Sequence, residues 1–224
     1  MASGFIAERP ESDLTGRARV RDAALAQFAA HGFKGATMRG IADAAGVSLG
    51  LVQHHFGSKE GLRESCDAFV VEAFSHRLAR SATDGALGEA SFMAELYETS
   101  GPLLRYLARA LVDGSPAAAT VFDQLAAGAE VFLSETWPDR FPAGSAAAGD
   151  AAAVMSAMHS GTVVLHDHLA RRCESDPFDP LQSTRIGNAM LGLYAAMGEF
   201  ATSATAERIR ESAASYDDSN RDAQ

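Results

Sequence analysis

TMRGIADAAGVSLGLVQHHFGSK, residues 37–59, reads as a helix, a tight turn and a second helix. Thr37 is a good N-cap, because its hydroxyl can satisfy an orphan amide of the first turn. Ile41 and Ala42 point inward, small Ala44 and Ala45 let two helices approach closely, and Gly46 supplies the turn. Val47 closes the turn and Ser48 caps the next helix, whose inner face carries Val52 and Phe56 four residues apart. Its outer face is left with Leu49, Gly50, Gln53 and His54. A slim N-terminal end followed by hydrogen-bonding side chains is what a helix entering a major groove requires. An ordinary helical hairpin with a polar outer face has the same pattern, so the motif alone leaves both readings open.

Outward from this stretch the chain keeps a helical period, with abundant Ala and scarce period-two alternation. A first helix is expected from about 13 to 31, with Val20, Ala24, Phe28 and Ala29 on one face and a stop at His31-Gly32. A fourth begins at Ser58 and runs toward Arg80. Further helices are expected over about 88–113, 116–136, 150–172 and 181–204, with a short one around 205–214. Gly101-Pro102, Ser115-Pro116, Trp137-Pro138, Phe141-Pro142 and the Asp176-Pro177 turn separate them. The fold class is all-α: a helix-turn-helix domain over 13–62, then a larger helical domain over 63–215. Residues 1–12 and 216–224 read as flexible tails.

Charge divides along the same seam. The 224-residue chain carries −10 overall. Residues 1–62 hold seven Lys/Arg against six Asp/Glu, and the remainder twelve against twenty-three. The acidity therefore belongs to the second domain, and a net +1 leaves the first free to approach phosphate. Cys66 and Cys173 lie far apart without metal-finger spacing, which suits a reducing compartment. The N-terminus has no signal-peptide stretch, and the uncharged run at 151–166 is too short to span a bilayer. The expected location is the cytoplasm, with no membrane partner.

LAQFAAHGFKGATMRGIADAAGVSLGLVQHHFGSKEGL, residues 25–62, resembles the DNA-binding domain of the TetR family of regulators. The resemblance spans about residues 17–66 and includes AGVS at 45–48, Gly50, Phe56 and Lys59. It implies a head of three to four helices on a larger helical domain that binds a ligand and dimerises. Such proteins usually act as repressors on double-stranded palindromic operator DNA and are released by a small molecule. Carried over by position, Thr37 and Ser48 fall at capping sites that meet phosphate, and Gly50, His54, His55 and Lys59 at sites touching backbone or base edges. Lys59 would be a phosphate clamp. Arg39, Leu49 and Gln53 complete the candidate DNA-binding set. Three positions depart from the family pattern. Gln53 replaces the usual Tyr, offering an amide that can pair with adenine. Leu51 stands where a small polar residue is common and either touches a thymine methyl or packs. Gly40 replaces the usual acid and removes the capping box opposite Thr37.

The second domain says less. In residues 181–204, Ile186, Met190, Leu193, Met197 and Phe200 form an apolar stripe, and the opposite side carries Leu191, Gly192, Ala195 and Ala196. A helix apolar on both sides is buried on both sides. With the Ala-rich helix 150–172 it would build the four-helix dimer interface that the resemblance implies, and a central core helix of a monomer is the competing reading. Met93, Tyr106, Phe122, Trp137, Met155, Met158, His159 and His166 are candidate lining for an apolar effector pocket, and plain core is the alternative. The acidic domain favours a cationic or neutral effector over an anion. His159, His166 and Cys173 recur every seven residues, about 10.5 Å of helical rise, too far apart to share one metal ion. No metal or cofactor is expected. The chain has no HExxH, P-loop or GxGxxG motif, so a helical metalloenzyme is the weakest alternative and an architectural DNA-binding protein the next.

Overall fold

The computed structural model describes residues 16–84, 101–179 and 182–221, all-helical apart from turns and connections. In chain order the helices are α1 (Gly16–Gly35), α2 (Met38–Ala45), α3 (Leu49–Phe56), α4 (Lys59–Asp84), α5 (Gly101–Asp113), α6 (Pro116–Thr136), α7 (Ala146–Val164), α8 (His166–Cys173), α9 (Ser183–Ala201) and α10 (Ala204–Arg221). Met93, the expected tail at 1–12, residues 13–15 of the expected first helix and the first part of the 88–113 helix lie outside the described residues.

The head forms because three short helices share one apolar centre. Val20, Ala24 and Phe28 recur every four residues along α1 and are buried against Ile41 and Ala42 of α2 and Val52 and Phe56 of α3. Removing a Leu or Ile side chain of this kind from water is worth about 1.5–3 kcal/mol. Leu62 and Cys66 of α4 close the centre. Farther along the same helix Val70, Ala73 and Phe74 continue into the body, where α4 packs on α6, α6 on α7, and α5 on both α7 and α1. Ser115 and Ser145 cap α6 and α7, each hydroxyl accepting an amide three residues on at 3.1 Å.

Several boundaries differ from the sequence expectation for identifiable reasons. The stop at His31-Gly32 is a kink: Gly32 takes φ 67 and ψ 170, and one more turn follows to Gly35. The helix expected over 150–172 breaks at Leu165, which caps α7 through its amide and starts α8. His159 and His166 therefore lie on separate helices. The last helix continues to Arg221, past the expected end at 214 and into the expected tail. The largest difference is α9. Of its apolar stripe only Ile186 is buried, Met190 is half-buried, and Leu193, Met197 and Phe200 are exposed. Its opposite face, Leu191, Gly192, Ala195 and Ala196, is exposed as well.

What anchors the start of α9 is the connection before it. Phe178 is buried, stacked on His166 with ring centroids 4.7 Å apart, and Arg105 of α5 lies 5.2 Å over the same ring. Arg105 also donates to Asp176 at 2.7 Å, and the Asp176 carboxylate accepts the Phe178 amide at 2.9 Å. Beyond this knot α9 carries most of its large apolar side chains into solvent, tied to α7 by the bond between Tyr194 and His159.

The kink in α1 can be tested. A Cβ on Gly32 would lie 2.7 Å from a guanidinium nitrogen of Arg109, on a backbone conformation that side chains rarely adopt. Gly32→Ala should lower stability by about 1–2 kcal/mol in a denaturant melt. Most of the loss should persist with Arg109→Ala added, because the backbone strain does not depend on that neighbour.

Candidate nucleic-acid interface

Local chemistry assembles the helix-turn-helix. Thr37 is extended, and its Oγ1 accepts the Gly40 amide at 3.0 Å, opening α2. Gly46 adopts the left-handed conformation (φ 66, ψ 37) that reverses the chain, and the Val47 amide donates to the Ala42 carbonyl at 3.0 Å. Ser48 then caps α3 by accepting the Leu51 amide at 3.2 Å. Ser58 repeats the device at α4, accepting the Gly61 amide at 3.1 Å. Every turn of the motif is thus closed by a hydroxyl or a glycine.

With Val52 and Phe56 buried, α3 presents Gly50, Gln53 and His54 to solvent, and Ser48, Thr37 and Arg39 are exposed beside them. Leu49 is half-buried on the head core. Two neighbours turn the other way. A methyl group on Gly16 would lie 3.3 Å from Leu51 Cδ2 and 3.9 Å from His55 Nε2, so both side chains rest on the start of α1. Of the two readings open for Leu51, packing is the one this geometry favours. His55 is half-buried, its ring 5.5 Å from that of His54 and 6.2 Å from Phe56.

Lys59 sits at the first turn of α4, but its ammonium is turned inward. It lies 4.7 Å over the Phe33 ring and donates to the Lys34 carbonyl at 3.4 Å, helping to cap α1. Arg63 lies over the same ring at 4.8 Å. Phe33 therefore holds two cations of α4 against the end of α1, contacts worth about 0.5–1 kcal/mol each when exposed.

A further basic residue joins this surface from outside the motif. Arg17, exposed in the first turn of α1, lies 5.6 Å over the Phe56 ring at the end of α3. The sequence signal was the run Arg17, Arg19, Arg21, read only as charge. Nothing in the spacing tells which of the three stands beside α3.

The candidate pocket residues do not gather in one place. Tyr106 is buried at the junction of α5 with the head, its hydroxyl donating to Asp67 at 2.6 Å. Phe122 is half-buried on α6, and Trp137 stands 49% exposed, edge-on to Phe132. Met155 and His159 are half-buried on α7, whereas Met158 is 41% exposed. His159 bonds the Met155 carbonyl through Nδ1 at 2.7 Å, which leaves Nε2 to accept the Tyr194 hydroxyl at 3.0 Å. His166 belongs to the knot around Phe178. Among the described residues no group of three His, Cys, Asp or Glu is placed to hold a metal ion, and no helix is long and apolar enough to cross a membrane.

Comparison with known proteins bears on the head most directly. The family model described as "Bacterial regulatory proteins, tetR family" matches residues 20–66. The HTH-type transcriptional regulatory protein RaaS of Mycobacterium tuberculosis is 45% identical over 125 residues, 55% of this chain and 58% of that protein. The HTH-type transcriptional regulator BetI of Paraburkholderia phytofirmans is 36% identical over 98 residues, 40% of this chain and 49% of that one. This chain thus spans about half the length of these curated relatives. A solved structure described as "Molecular basis for control of antibiotic production by a bacterial hormones" aligns at 24% identity and a TM-score of 0.49, covering 70% of this chain and 87% of the other.

Gln53, exposed in mid-helix, yields a specific test. Gln53→Ala should cost about 1–3 kcal/mol of binding to a cognate duplex and relax preference at one symmetric base position. Competition binding across single-base variants measures both. An equal loss on every variant would mean that the amide touches only the backbone.

Proposed function

We propose, on the premise that this chain is a tetR-family regulator whose DNA-binding domain occupies residues 20–66, that it works as a homodimeric repressor on a palindromic operator and is released by a small effector. The observation that carries the DNA reading is the face of α3. Gly50 admits close approach, Gln53 and His54 reach outward, and Ser48 and Thr37 place capped amides beside them for phosphate. Exposed Arg39 and, once released from α1, Lys59 are the supporting contacts, whereas Leu49 packs on the head core and His55 rests on the start of α1. Lys59 would reach phosphate by leaving the Lys34 carbonyl, a weak partner at 3.4 Å. The chain acts in the cytoplasm, where its operator is, and catalyses no reaction.

Dimerisation is supported by α9. A helix exposing Leu191, Leu193, Met197 and Phe200 along with Gly192, Ala195 and Ala196 leaves an apolar surface of the kind that a second copy covers. The face of α7 that carries exposed Val154 and Met158 is the adjoining surface. Two copies joined there would offer two recognition helices to successive major grooves, about 34 Å apart.

The effector is taken to be small, largely apolar, and neutral or cationic, bound in the body. It acts through its preference for the DNA-incompetent placement of the heads. A coupling of about 1–3 kcal/mol lowers DNA affinity roughly 5- to 150-fold, and operator lowers effector affinity by the same factor.

Retardation of a duplex from the promoter of its own gene should be seen at low salt and should fall steeply as salt rises. Absence of any retardation at low salt would remove the DNA reading. Ala195→Arg should give monomers in sedimentation, with weakened DNA binding, because a charge would be buried where helices meet closely. An intact dimer would move the interface elsewhere. Compounds that raise the melting temperature should bind more weakly when operator is present. Hits indifferent to operator are not effectors.

A further inference from the structure

We propose that the hydrogen bond from Tyr106 to Asp67 is the positioning contact that sets the tilt of α4, and with it the placement of the DNA-binding head on the body. The inference rests on the reading of the chain as a DNA-binding dimer, and it names the residues through which the body governs the head.

The geometry isolates this contact. Helix α4 is shared: Leu62 and Cys66 pack in the head, and Val70, Ala73 and Phe74 continue toward the body. Asp67 lies between the two sets. Its carboxylate accepts the Tyr106 hydroxyl at 2.6 Å, and the Tyr106 ring stands 6.4 Å from Phe28 of α1. One residue of α5 thus touches both head helices that adjoin the body. Around it lie Phe28, Phe33, the guanidinium groups of Arg63 and Arg109, Asp113 paired with Arg109, and Ser115, and a cavity of about 30 Å³ remains between them. Apolar contact resists separation but has little angular preference. A hydrogen bond fixes both distance and direction. Among the described residues the directional element of this seam is the phenol on the carboxylate.

Both groups are suited to a permanent bond. Burial pushes the Tyr106 phenol upward, and the neighbouring Asp67 carboxylate pushes it further, so the hydroxyl keeps its proton and always donates. Burial also raises the Asp67 carboxyl, against the opposing pull of the Tyr106 bond and the Arg63 charge. The acceptor is a carboxylate whose desolvation Tyr106 partly offsets.

A second tie lies eight residues on. Ser75 bonds Gln124 of α6 at 2.8 Å in one sense and 3.1 Å in the other. Eight helical residues rise about 12 Å, and Lys59 stands about 12 Å beyond Asp67 in the other direction. If α4 pivots at Ser75, a displacement at Asp67 is doubled at the first turn of α4. Tyr106 is therefore placed where a small shift of α5 is amplified at the head.

The experiment uses the full chain, spin-labelled at Ala26→Cys in the head and Ala127→Cys in the body, in a Cys173→Ser background. Cys66 is buried, its thiol held protonated, and escapes labelling. Dilution with unlabelled protein makes the measured distance that within one chain. Tyr106→Phe and Asp67→Leu should each shift or broaden the distance and weaken binding to the promoter duplex by about tenfold. The double variant should do no more than either single one. Asp67→Asn, which keeps an acceptor, should retain most of the wild-type distance and affinity. Circular dichroism melts identify the folded variants, and Asp67→Leu carries the test if Tyr106→Phe does not fold. Unchanged distance and affinity in the folded variants would overturn the proposal, as would equal losses in Asp67→Asn and Asp67→Leu. If wild type fails to bind DNA, the function reading falls, and the head-to-body distance alone decides the role of Tyr106.

Discussion

A single helix in this protein has to be buried by two different cores. The head draws on Leu62 and Cys66 of α4, and the body on Val70, Ala73 and Phe74 of the same helix. An α-helix is stiff along its axis, so the two cores cannot choose their relative placement independently. Whatever fixes α4 against the body also fixes where Gln53 and His54 stand. The three-helix head is too small to bury its own centre without that fourth member, which supplies Leu62 and Cys66 at the bottom of the cluster. Stability of the head and its aim are therefore properties of the same contacts.

Around this helix, cations are paired with aromatic faces as well as with acids. Lys59 and Arg63 lie on Phe33, Arg17 on Phe56, Arg21 on Phe69, and Arg105 on Phe178. The pattern suits the proposed role, in which a head on a strongly acidic body faces phosphate. A guanidinium over a ring is held in place while keeping its charge available, whereas one paired to a carboxylate is neutralised at long range. Arg105 has both, lying over Phe178 and donating to Asp176, and Arg21, over Phe69, also lies 4.0 Å from Asp22.

The body is less self-contained than the head. Its first helices pack on one another, but α9 departs after the knot at Phe178 and carries its large apolar residues into solvent. An isolated helix of that composition has no reason to stay extended in water, since helical stability in proteins comes mainly from packing an apolar face. Among the described residues Leu191, Leu193, Met197 and Phe200 remain exposed. The tie between His159 and Tyr194 holds α9 near α7 and orients the exposed face without burying it.

How much was legible in the sequence follows from the range of each interaction. The helix-turn-helix was readable because its determinants are local. Thr37, Ser48 and Ser58 cap amides three residues away, Gly46 turns the chain within one residue, and Val52 and Phe56 lie one turn apart. The expected seam near residue 62 falls inside α4, whose Leu62 and Cys66 pack in the head and whose Val70, Ala73 and Phe74 continue into the body. The break at Leu165 was not readable, because the residues around it are compatible with a continuous helix. Nor was the direction of Leu51 and His55, which face the start of α1 almost forty residues earlier, or of Lys59, which turns onto Phe33. Tyr106 looked like pocket lining because an aromatic residue at helical spacing is all the sequence displays. Its partnership with Asp67 exists only once α5 lies against α4, 39 residues apart in the chain. The sequence alone determined the motif, the all-helical class and the division of charge, since each depends on neighbours a few residues apart. The tertiary structure decided which side chains of the motif face outward, which face of α9 is left uncovered, and what holds the head on the body, because no local period encodes a contact between distant helices.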